Sequence, residues 1–150
     1  MCEPPLVKYS TEQEYKEHFE RVYCVKTVQT FDGYQVRIFP DHFKHCMYES
    51  KNRQARDKSI FSSQRAQRID WIKETLGDSG AQLYQGWDRD KRRIDPNTRV
   101  ANAYDDYVVV IRFNKTRGGT WIADFKTAYV ADSNISRIRS APVWDIKDCR

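Results

Sequence analysis

The sequence predicts an α+β domain in which N-terminal helices and a β-hairpin pack on one face of an antiparallel β-sheet. Helix-type patterns fill the first half of the chain, a glycine-containing turn separates two short strand-type runs within that half, and strand-type runs fill much of the second half. With 150 residues, the chain is expected to form a single domain, residues 1–150, around one hydrophobic core.

The predicted elements alternate between helical and extended segments. In chain order they are a helix from Ser10 or Thr11 to about Arg21, strands over 22–29 and 34–39, a helix over 40–50, a basic connector over 51–58, a helix over 59–76, a strand over 81–87, a charged loop or exposed hairpin over 88–97, and strands over 107–113 and 120–130.

Local signals justify the elements of the first half. Thr11 and Glu14 have the spacing of a capping box, which begins the first helix. Gly33 lies in a turn that needs a positive φ angle and joins two strands into a hairpin. Pro40 suits the first turn of a helix, where its missing N–H costs nothing. Gly77 is expected to end the long helix that follows the connector.

Strand signals dominate the second half. The run 108–111 consists of valines and an isoleucine, and β-branched side chains favour extended structure. A polar turn over 114–119, which ends in two glycines, leads into the last strand. The tail beyond Ala131 is predicted to be irregular, with Trp144 anchoring it to the body of the domain.

The helix over 40–50 carries the first candidate catalytic residues. His42 and His45 lie on the flank opposite the apolar side chains, and Glu49 follows His45 by one helical turn. A carboxylate at that spacing could orient an imidazole, and an imidazole so held could transfer a proton near neutral pH. The alternative is that both histidines are ordinary residues of a solvated face.

Arg65 is the second candidate. In a continuous helix over 59–76 it is the one charged residue on an apolar face that includes Phe61 and Ile69. A buried guanidinium needs a carboxylate, a set of carbonyls or a bound anion, and its planar fork suits phosphate. Arg68, at the rim of the same face, could bind phosphate from solvent. A structural arginine–carboxylate pair is the alternative for Arg65.

The last strand supplies a third candidate. Strict alternation places Thr127 on the same face as Phe125 and Tyr129. Thr127 could contact a phosphate oxygen beside Tyr129, or it could be a β-branched filler whose hydroxyl bonds locally.

The charge balance favours an anionic partner. The chain has 26 Lys and Arg against 21 Asp and Glu, a formal net charge of +5, and nine tyrosines and four tryptophans that could stack on bases. Basic residues concentrate over 51–68, where Arg56 and Lys58 are candidate substrate-binding residues, and over 89–99. Either cluster could approach a nucleic-acid backbone, although a charge run is commonly just a solvated face.

Several protein classes are not favoured. There is no phosphate-binding P-loop, nucleophile elbow, H-E-x-x-H motif or paired Cys/His set, so neither a cofactor nor a metal ion is expected. Neither a signal peptide nor a membrane span is predicted. The cysteines are too far apart for a zinc site or a dense disulfide scaffold, and they favour a reducing, cytoplasmic environment. They are Cys2, Cys24, Cys46 and Cys149.

The order of elements and the candidate motifs resemble the BECR nucleases, named for barnase, EndoU, colicin-type tRNases and RelE. More narrowly, the chain is similar to the small BECR domains of phage, prophage and polymorphic toxin systems. The resemblance covers about residues 22–130. It rests on the helix–hairpin–helix–helix–sheet order, on His42 and His45, on Arg65-Ala-Gln-Arg68 with Ile69-Asp-Trp-Ile72, and on Phe125-Lys-Thr-Ala-Tyr129.

The resemblance implies a metal-independent endoribonuclease, in which the ribose 2′-hydroxyl attacks the adjacent phosphate and leaves a 2′,3′-cyclic end. It assigns proton transfer to His45 or His42, charge stabilisation to Arg65 and phosphate positioning to Thr127. No glutamate base like that of barnase is identified. The candidates for base stacking or a supporting proton role are Tyr84, Tyr104 and Tyr129.

The implied partner is RNA, with tRNA among the candidates. If the protein is a toxin, an acidic immunity or antitoxin protein is the expected inhibitor. The alternative to an enzyme is a non-catalytic nucleic-acid-binding module that uses the same basic surface, or a phage structural or interaction protein.

Overall fold

The computed structural model describes residues 3–49 and 60–150. Over these ranges the chain has an α+β fold, which confirms the predicted class. The helices there are α1 (Glu12–Phe19), α2 (Asp41–Met47), α3 (Ser63–Gln67), α4 (Trp71–Leu76) and α5 (Ile135–Arg139), with a π-helical turn at Glu20–Cys24 and a 3₁₀ turn at Ile146–Asp148. The strands are β1 (Val28–Gln29), β2 (Gln35–Arg37), β3 (Tyr48–Glu49), β4 (Ile60–Phe61), β5 (Gln82–Asp88), β6 (Arg93–Tyr104), β7 (Tyr107–Lys115) and β8 (Trp121–Val130).

The first helix begins at the predicted capping box. The Thr11 hydroxyl accepts the Glu14 N–H at 3.3 Å, and the Glu14 carboxylate accepts the Thr11 N–H at 3.1 Å. The strand predicted over 22–29 is wrong in its first part, because helical structure continues through the π-helical turn. That turn buries Tyr23 completely, and the phenol donates a hydrogen bond to the Ile69 carbonyl. Burial of an aromatic ring therefore overrides the local strand signal.

The predicted hairpin is confirmed. Strand β1 pairs antiparallel with β2, and Gly33 in the connecting turn has φ +91°. Pro40 directly precedes α2, as its conformational preference predicts. The connector predicted over 51–58 lies outside the described residues.

The helix predicted over 59–76 is wrong as a single element. It is divided into β4, α3 and α4. The Ser62 hydroxyl accepts the Arg65 N–H at 3.3 Å and so begins a new helix after β4. A turn over 68–70 separates α3 from α4, and the Asp70 carboxylate in that turn contacts His18 of α1. The apolar face predicted for Arg65 is therefore built from separate segments.

The larger sheet has the strand order β1-β2-β8-β7-β6-β5. Its members β5 to β8 form an antiparallel meander, and β2 joins β8 in parallel. Strand β6 begins at Arg93, within the segment predicted as a charged loop or exposed hairpin. Strands β3 and β4 form a separate antiparallel pair.

The main core lies between the sheet and the helices α1 to α4, which confirms the predicted packing of the N-terminal helices on one face. The prediction is wrong for the hairpin, because β1 and β2 extend the sheet itself, and the sheet is not wholly antiparallel, because β2 pairs with β8 in parallel. A smaller cluster lies on the other face, where Ile135 and Ile138 of α5 pack against Val100 and Val108. The tail is thus partly helical, although it was predicted to be irregular. Trp144 is only 6% exposed and stacks on Phe113 at 4.8 Å between ring centroids, as expected of an anchor.

Candidate functional site

Strand β8 is contacted along one edge by β2 and, beyond it, by α2 and α3, so that three segments, α2, α3 and the end of β8, meet there. Strand β2 pairs with β8 at Ala123 and Asp124. Farther along β8, α2 and α3 pack against the strand, and the Cys46 thiol of α2 lies 3.6 Å from the Ala128 carbonyl. The part of β8 from 126 to 130, together with the adjoining ends of α2 and α3, is called the β8 edge site below.

His42 lies at the start of α2 and packs against β8. Its Nδ1 accepts the Phe39 N–H at 3.0 Å, and its ring lies edge-on to Phe125 at 5.5 Å between centroids. Burial lowers the pKa of His42, as does the positive charge of Lys126, while Asp124 opposes the shift. Because Nδ1 is an acceptor here, the proton of the neutral ring is on Nε2. His42 is therefore arranged to donate a hydrogen bond from Nε2 near neutral pH.

His45 follows on the next turn of α2 and is exposed. The helical relation predicted between His45 and Glu49 is wrong, because α2 ends at Met47 and Glu49 belongs to the extended strand β3. His45 is thus the more accessible of the two candidate histidines.

Arg65 connects the three segments of the β8 edge site. Its Nη1 donates to the carbonyls of Cys46 at 3.3 Å and Tyr48 at 3.2 Å, at the C-terminal end of α2. Its guanidinium carbon lies 5.5 Å from the centre of the Tyr129 ring. Carbonyls are one of the three partners that the sequence allowed, and a cation at a helix C-terminus is also favoured by the helix dipole. Arg65 therefore has a structural contact at Nη1 while its side chain remains half-buried.

A β-bulge corrects the predicted face of Thr127. Val110 of β7 pairs with Thr127 while the next residue, Ile111, pairs with Phe125, so one residue of β8 is extra at this point. Alternation reverses there: Phe125 belongs to the main core, whereas Tyr129 packs in the smaller cluster on the other face. Thr127 shares a face with Tyr129 but not with Phe125. The Thr127 hydroxyl is buried and has no hydrogen-bond partner in the described part of the chain.

Arg68 and Tyr104 lie together in a different place. They line an open cleft of about 310 Å³, together with residues that include Trp71, Asp105 and Tyr107. The Arg68 guanidinium lies 5.0 Å above the Trp71 ring and donates to the Gln64 carbonyl at 2.8 Å. Tyr104 is 7% exposed, its ring packs edge-on against Trp71, and burial raises its pKa. The Tyr104 ring is therefore part of the core wall and offers little surface to a base.

Tyr84 is not brought to the β8 edge site either. It lies on β5, three strands from β8 and about 14 Å away at ordinary strand spacing. Its hydroxyl donates to Gln82, and its ring packs in the smaller cluster. The candidates Arg56 and Lys58 lie outside the described residues. The segments that meet are thus α2, α3 and the end of β8, although Thr127 lies with Tyr129 on the face of the sheet opposite the main core.

Sequence analysis missed a buried histidine. His18 of α1 is 8% exposed, and its Nε2 lies 2.8 Å from the Asp70 carboxylate. Its Nδ1 lies 2.8 Å from the Tyr9 hydroxyl. The available signal was its position on the buried face of α1, one residue before Phe19. The partners could not be predicted, because Asp70 is 52 residues away in sequence.

Neither a metal-binding cluster nor a membrane-spanning helix is found among the described residues. Over 3–49 and 60–150, no group of three or more His, Cys, Asp or Glu side chains is arranged to hold a metal ion. In the same ranges, none of the helices combines the length and the apolar character that crossing a membrane requires.

Comparisons with protein-family models, with curated proteins and with solved structures gave no match. Any functional assignment therefore depends on the residues and geometry of the chain itself.

Proposed function

We propose that the protein is a metal-independent endoribonuclease of the BECR type, acting as a toxin or phage effector in the cytoplasm. The observation that supports this most is the meeting of three chain-distant segments at the β8 edge site: the histidine helix α2, Arg65 of α3, and Thr127 with Tyr129 on β8. These are a proton-transfer residue, a cation and a hydroxyl, the groups that phosphodiester cleavage by an internal nucleophile requires.

The proposed reaction begins at the ribose 2′-hydroxyl. His45 accepts its proton, a bond forms from the 2′-oxygen to phosphorus, and the bond from phosphorus to the 5′-oxygen breaks. The 5′-oxygen then takes the proton of the His45 imidazolium, either directly or through the Tyr129 hydroxyl, which gives its own proton to the 5′-oxygen and receives the one from His45. The products are a 2′,3′-cyclic phosphate and a free 5′-hydroxyl.

The two histidines have different roles in this proposal. His45 is exposed on α2 and is assigned proton transfer. His42 is assigned hydrogen-bond donation from Nε2 to a phosphate oxygen, since its Nδ1 lone pair is used by the Phe39 N–H. Accepting a proton at Nδ1 would break that bond, so His42 is not assigned the role of the base.

The remaining groups would stabilise charge. Within residues 3–49 and 60–150, the Arg65 Nη1 donates to the carbonyls of Cys46 and Tyr48, and Nε and Nη2 are the donors proposed to face the phosphoryl oxygens. The buried, unpartnered hydroxyl of Thr127 is proposed to donate to a phosphate oxygen.

A second candidate is a non-catalytic RNA-binding module. It is favoured by the hydrogen bonds that His42 Nδ1 and Arg65 Nη1 already make within the protein, which are the contacts expected of structural residues. The two candidates differ in proton transfer. An enzyme loses turnover without losing binding when His45 becomes Ala, whereas a binding module has no turnover to lose.

If the protein is a toxin, an acidic immunity or antitoxin protein is the proposed inhibitor, because the chain carries a net charge of +5. RNA is the proposed substrate, with tRNA among the candidates.

The test is incubation of the purified protein with total bacterial RNA in EDTA, followed by analysis of fragment ends. Discrete fragments with cyclic-phosphate ends are expected from the wild type and from Lys44→Gln, a control that removes a charge from α2 without affecting the proton-transfer groups. His45→Ala is expected to abolish them. Intact RNA with micromolar wild-type protein would contradict the enzymatic proposal and favour the binding module.

A further inference from the structure

The end of the β5–β6 hairpin, residues 87–93, is a basic surface with an exposed indole. It is called the hairpin end below. Trp87 is 48% exposed, an unusual position for the largest side chain. The four cations of the hairpin end are all exposed: Arg89, Lys91, Arg92 and Arg93.

The turn at the hairpin end has a defined conformation. Trp87 pairs with Ile94 and Asp88 with Arg93, and the Asp88 carboxylate accepts the N–H groups of Asp90 at 3.0 Å and Lys91 at 3.1 Å. Asp88 is thus used by the turn itself. The cations of the hairpin end are presented on an ordered scaffold.

Arg92 has a backbone conformation that glycine would adopt more easily. Its φ angle is +52°, in the left-handed region that glycine adopts without a steric penalty. A charged side chain stands at this point of the turn, between two further cations, Lys91 and Arg93. The turn geometry alone does not account for a charge here.

A large bulge separates the hairpin end from the rest of the sheet. Gln85 pairs with Arg99, but the next residue of β5, Gly86, pairs with Asp95. Strand β6 therefore has three unmatched residues, and Thr98 approaches Gly86 so closely that a Cβ atom there would lie 2.3 Å from its methyl carbon. Bulges bend strands and re-aim the side chains beyond them, and this one directly precedes the hairpin end.

The neighbouring hairpin adds charge at the same end of the sheet. Lys115 and Trp121 pair at the end of β7 and β8, and Arg117 is exposed in the turn between these strands. Thr127 lies six residues farther along β8 than Trp121, which corresponds to about 20 Å of strand. The hairpin end is therefore well separated from the β8 edge site.

We propose that the hairpin end is a second RNA-contacting surface, where Trp87 stacks on a base of single-stranded RNA and the four cations contact the phosphates. This rests on the proposed function in one respect, that RNA is the ligand. Charge complementarity favours a polyanion, and an indole offers the π-face that any base can stack on. An RNA that occupies both surfaces must extend about 20 Å beyond the scissile bond.

The test measures binding to an uncleavable probe, so that binding and turnover are independent. A fluorescently labelled 2′-O-methyl RNA of about 20 nucleotides lacks the attacking hydroxyl and can be used with the wild-type active site. Fluorescence anisotropy is recorded over a series of salt concentrations. The variants of the hairpin end are Trp87→Ala, Trp87→Phe and a fourfold change, Arg89→Gln, Lys91→Gln, Arg92→Gln and Arg93→Gln.

Two controls match these variants. Val143→Ala shortens another exposed apolar side chain, 72% exposed and next to β5. A second fourfold variant removes the same net charge from exposed lysines of other elements: Lys8→Gln, Lys16→Gln, Lys26→Gln and Lys73→Gln.

Trp87→Ala is expected to weaken binding by about 5- to 100-fold, the effect of one lost base stack, while Trp87→Phe and Val143→Ala stay near wild type. The fourfold hairpin variant is expected to reduce the slope of log affinity against log salt by up to about 3, and the lysine control by much less. Cleavage of a dinucleotide should be unchanged in all of them, because it cannot reach the hairpin end.

Other results would overturn the inference in distinguishable ways. Equal loss of affinity in both fourfold variants would mean that only net charge matters. Wild-type affinity in both Trp87→Ala and the fourfold hairpin variant would mean that the hairpin end does not contact RNA, and it would favour a protein as the partner of this surface. Absence of any RNA binding would overturn the proposed function as well, whereas hairpin-dependent binding without cleavage would overturn only the enzymatic proposal.

Discussion

Replacing Arg65 separates its structural contribution from its proposed catalytic one. Arg65→Met keeps an apolar stem but removes the two hydrogen bonds to the carbonyls of α2 and its end, and the contact with the Tyr129 ring. A hydrogen bond to a charged group contributes about 1.5–3 kcal/mol, and a cation–π contact at an accessible site about 0.5–1 kcal/mol.

The geometry places Arg65 at the low end of these ranges. Both hydrogen bonds come from one nitrogen, and at 3.2 and 3.3 Å they are longer than is usual for a charged donor. The side chain is also half-buried, so water would partly replace the lost partner. We therefore expect Arg65→Met to lower the free energy of unfolding by about 2–3 kcal/mol.

The assay combines urea unfolding with single-turnover cleavage of a labelled RNA. A domain of ordinary stability, about 5–15 kcal/mol, remains largely folded after this loss. Cleavage per folded molecule should nevertheless fall about 10²- to 10³-fold, as when one donor to a developing oxyanion is removed. Arg65→Lys should recover part of the stability and part of the rate, because it restores the charge without the planar fork.

Two results would contradict these expectations for Arg65→Met. A stability loss below about 0.5 kcal/mol in Arg65→Met would mean that the α2 carbonyls are not held by this side chain. Unchanged cleavage by the folded variant would mean that Arg65 has no part in the chemistry.

Three further predictions concern stability and can be measured by chemical denaturation. The pKa of His42 is lowered in the folded protein, so its neutral form stabilises the fold. This contribution to the free energy of unfolding is fully present above the unfolded pKa near 6.5 and is lost as the pH falls through the folded pKa. His42→Gln should reduce this pH dependence. Asp32→Asn should cost about 3 kcal/mol because it leaves the fully buried Arg99 guanidinium without its carboxylate, whereas Arg99→Met, which also removes two unpartnered nitrogens, should cost much less. Gly86→Ala should cost about 1–3 kcal/mol, because the added Cβ would lie 2.3 Å from a Thr98 methyl group.

Each of these predictions has a result that contradicts it. For His42, the contradicting result is a free energy of unfolding that depends on pH equally in His42→Gln and the wild type between about pH 5 and about pH 7.5. For the buried ion pair, it is a larger loss in Arg99→Met than in Asp32→Asn. For Gly86→Ala, it is the absence of any recovery when Thr98→Ser removes the opposing methyl group.

Local signals predicted those elements whose causes are local. The capping box of Thr11 and Glu14, the positive φ of Gly33 and the position of Pro40 depend on neighbouring residues alone, and all three are present in the structure. The continuous run of β-branched residues that contains Val109 also needed no distant partner to favour a strand.

Other features depend on tertiary pairing and could not be predicted in this way. The bulge in β8 exists only in register with Val110, and it decides which face Thr127 occupies. Arg99 was grouped with the basic residues over 89–99 that could face a nucleic acid, but it is fully buried and pairs with Asp32 from a distant hairpin. The partners of Arg65 are carbonyls, whose positions depend on how α2 packs rather than on residue types.

The candidate site shows the same division. Residue chemistry identified His42, Arg65 and Thr127, and the fold brings their segments together at the β8 edge site. Residue chemistry could not indicate that the His42 Nδ1 would accept a hydrogen bond from the Phe39 N–H. That hydrogen bond is the reason for not assigning proton transfer to His42, and His45 is assigned it because its side chain is exposed.

The most direct test of the central proposal compares turnover and binding in His45→Ala. The affinity for the uncleavable RNA and the single-turnover cleavage rate in EDTA are measured for this variant and the wild type across a pH series. We expect a bell-shaped pH–rate profile for the wild type, and in the variant a loss of at least about 10²-fold in rate with little change in affinity. Cleavage by His45→Ala at the wild-type rate, or no cleavage by the wild type, would contradict the proposal that His45 transfers the proton in a metal-independent ribonuclease.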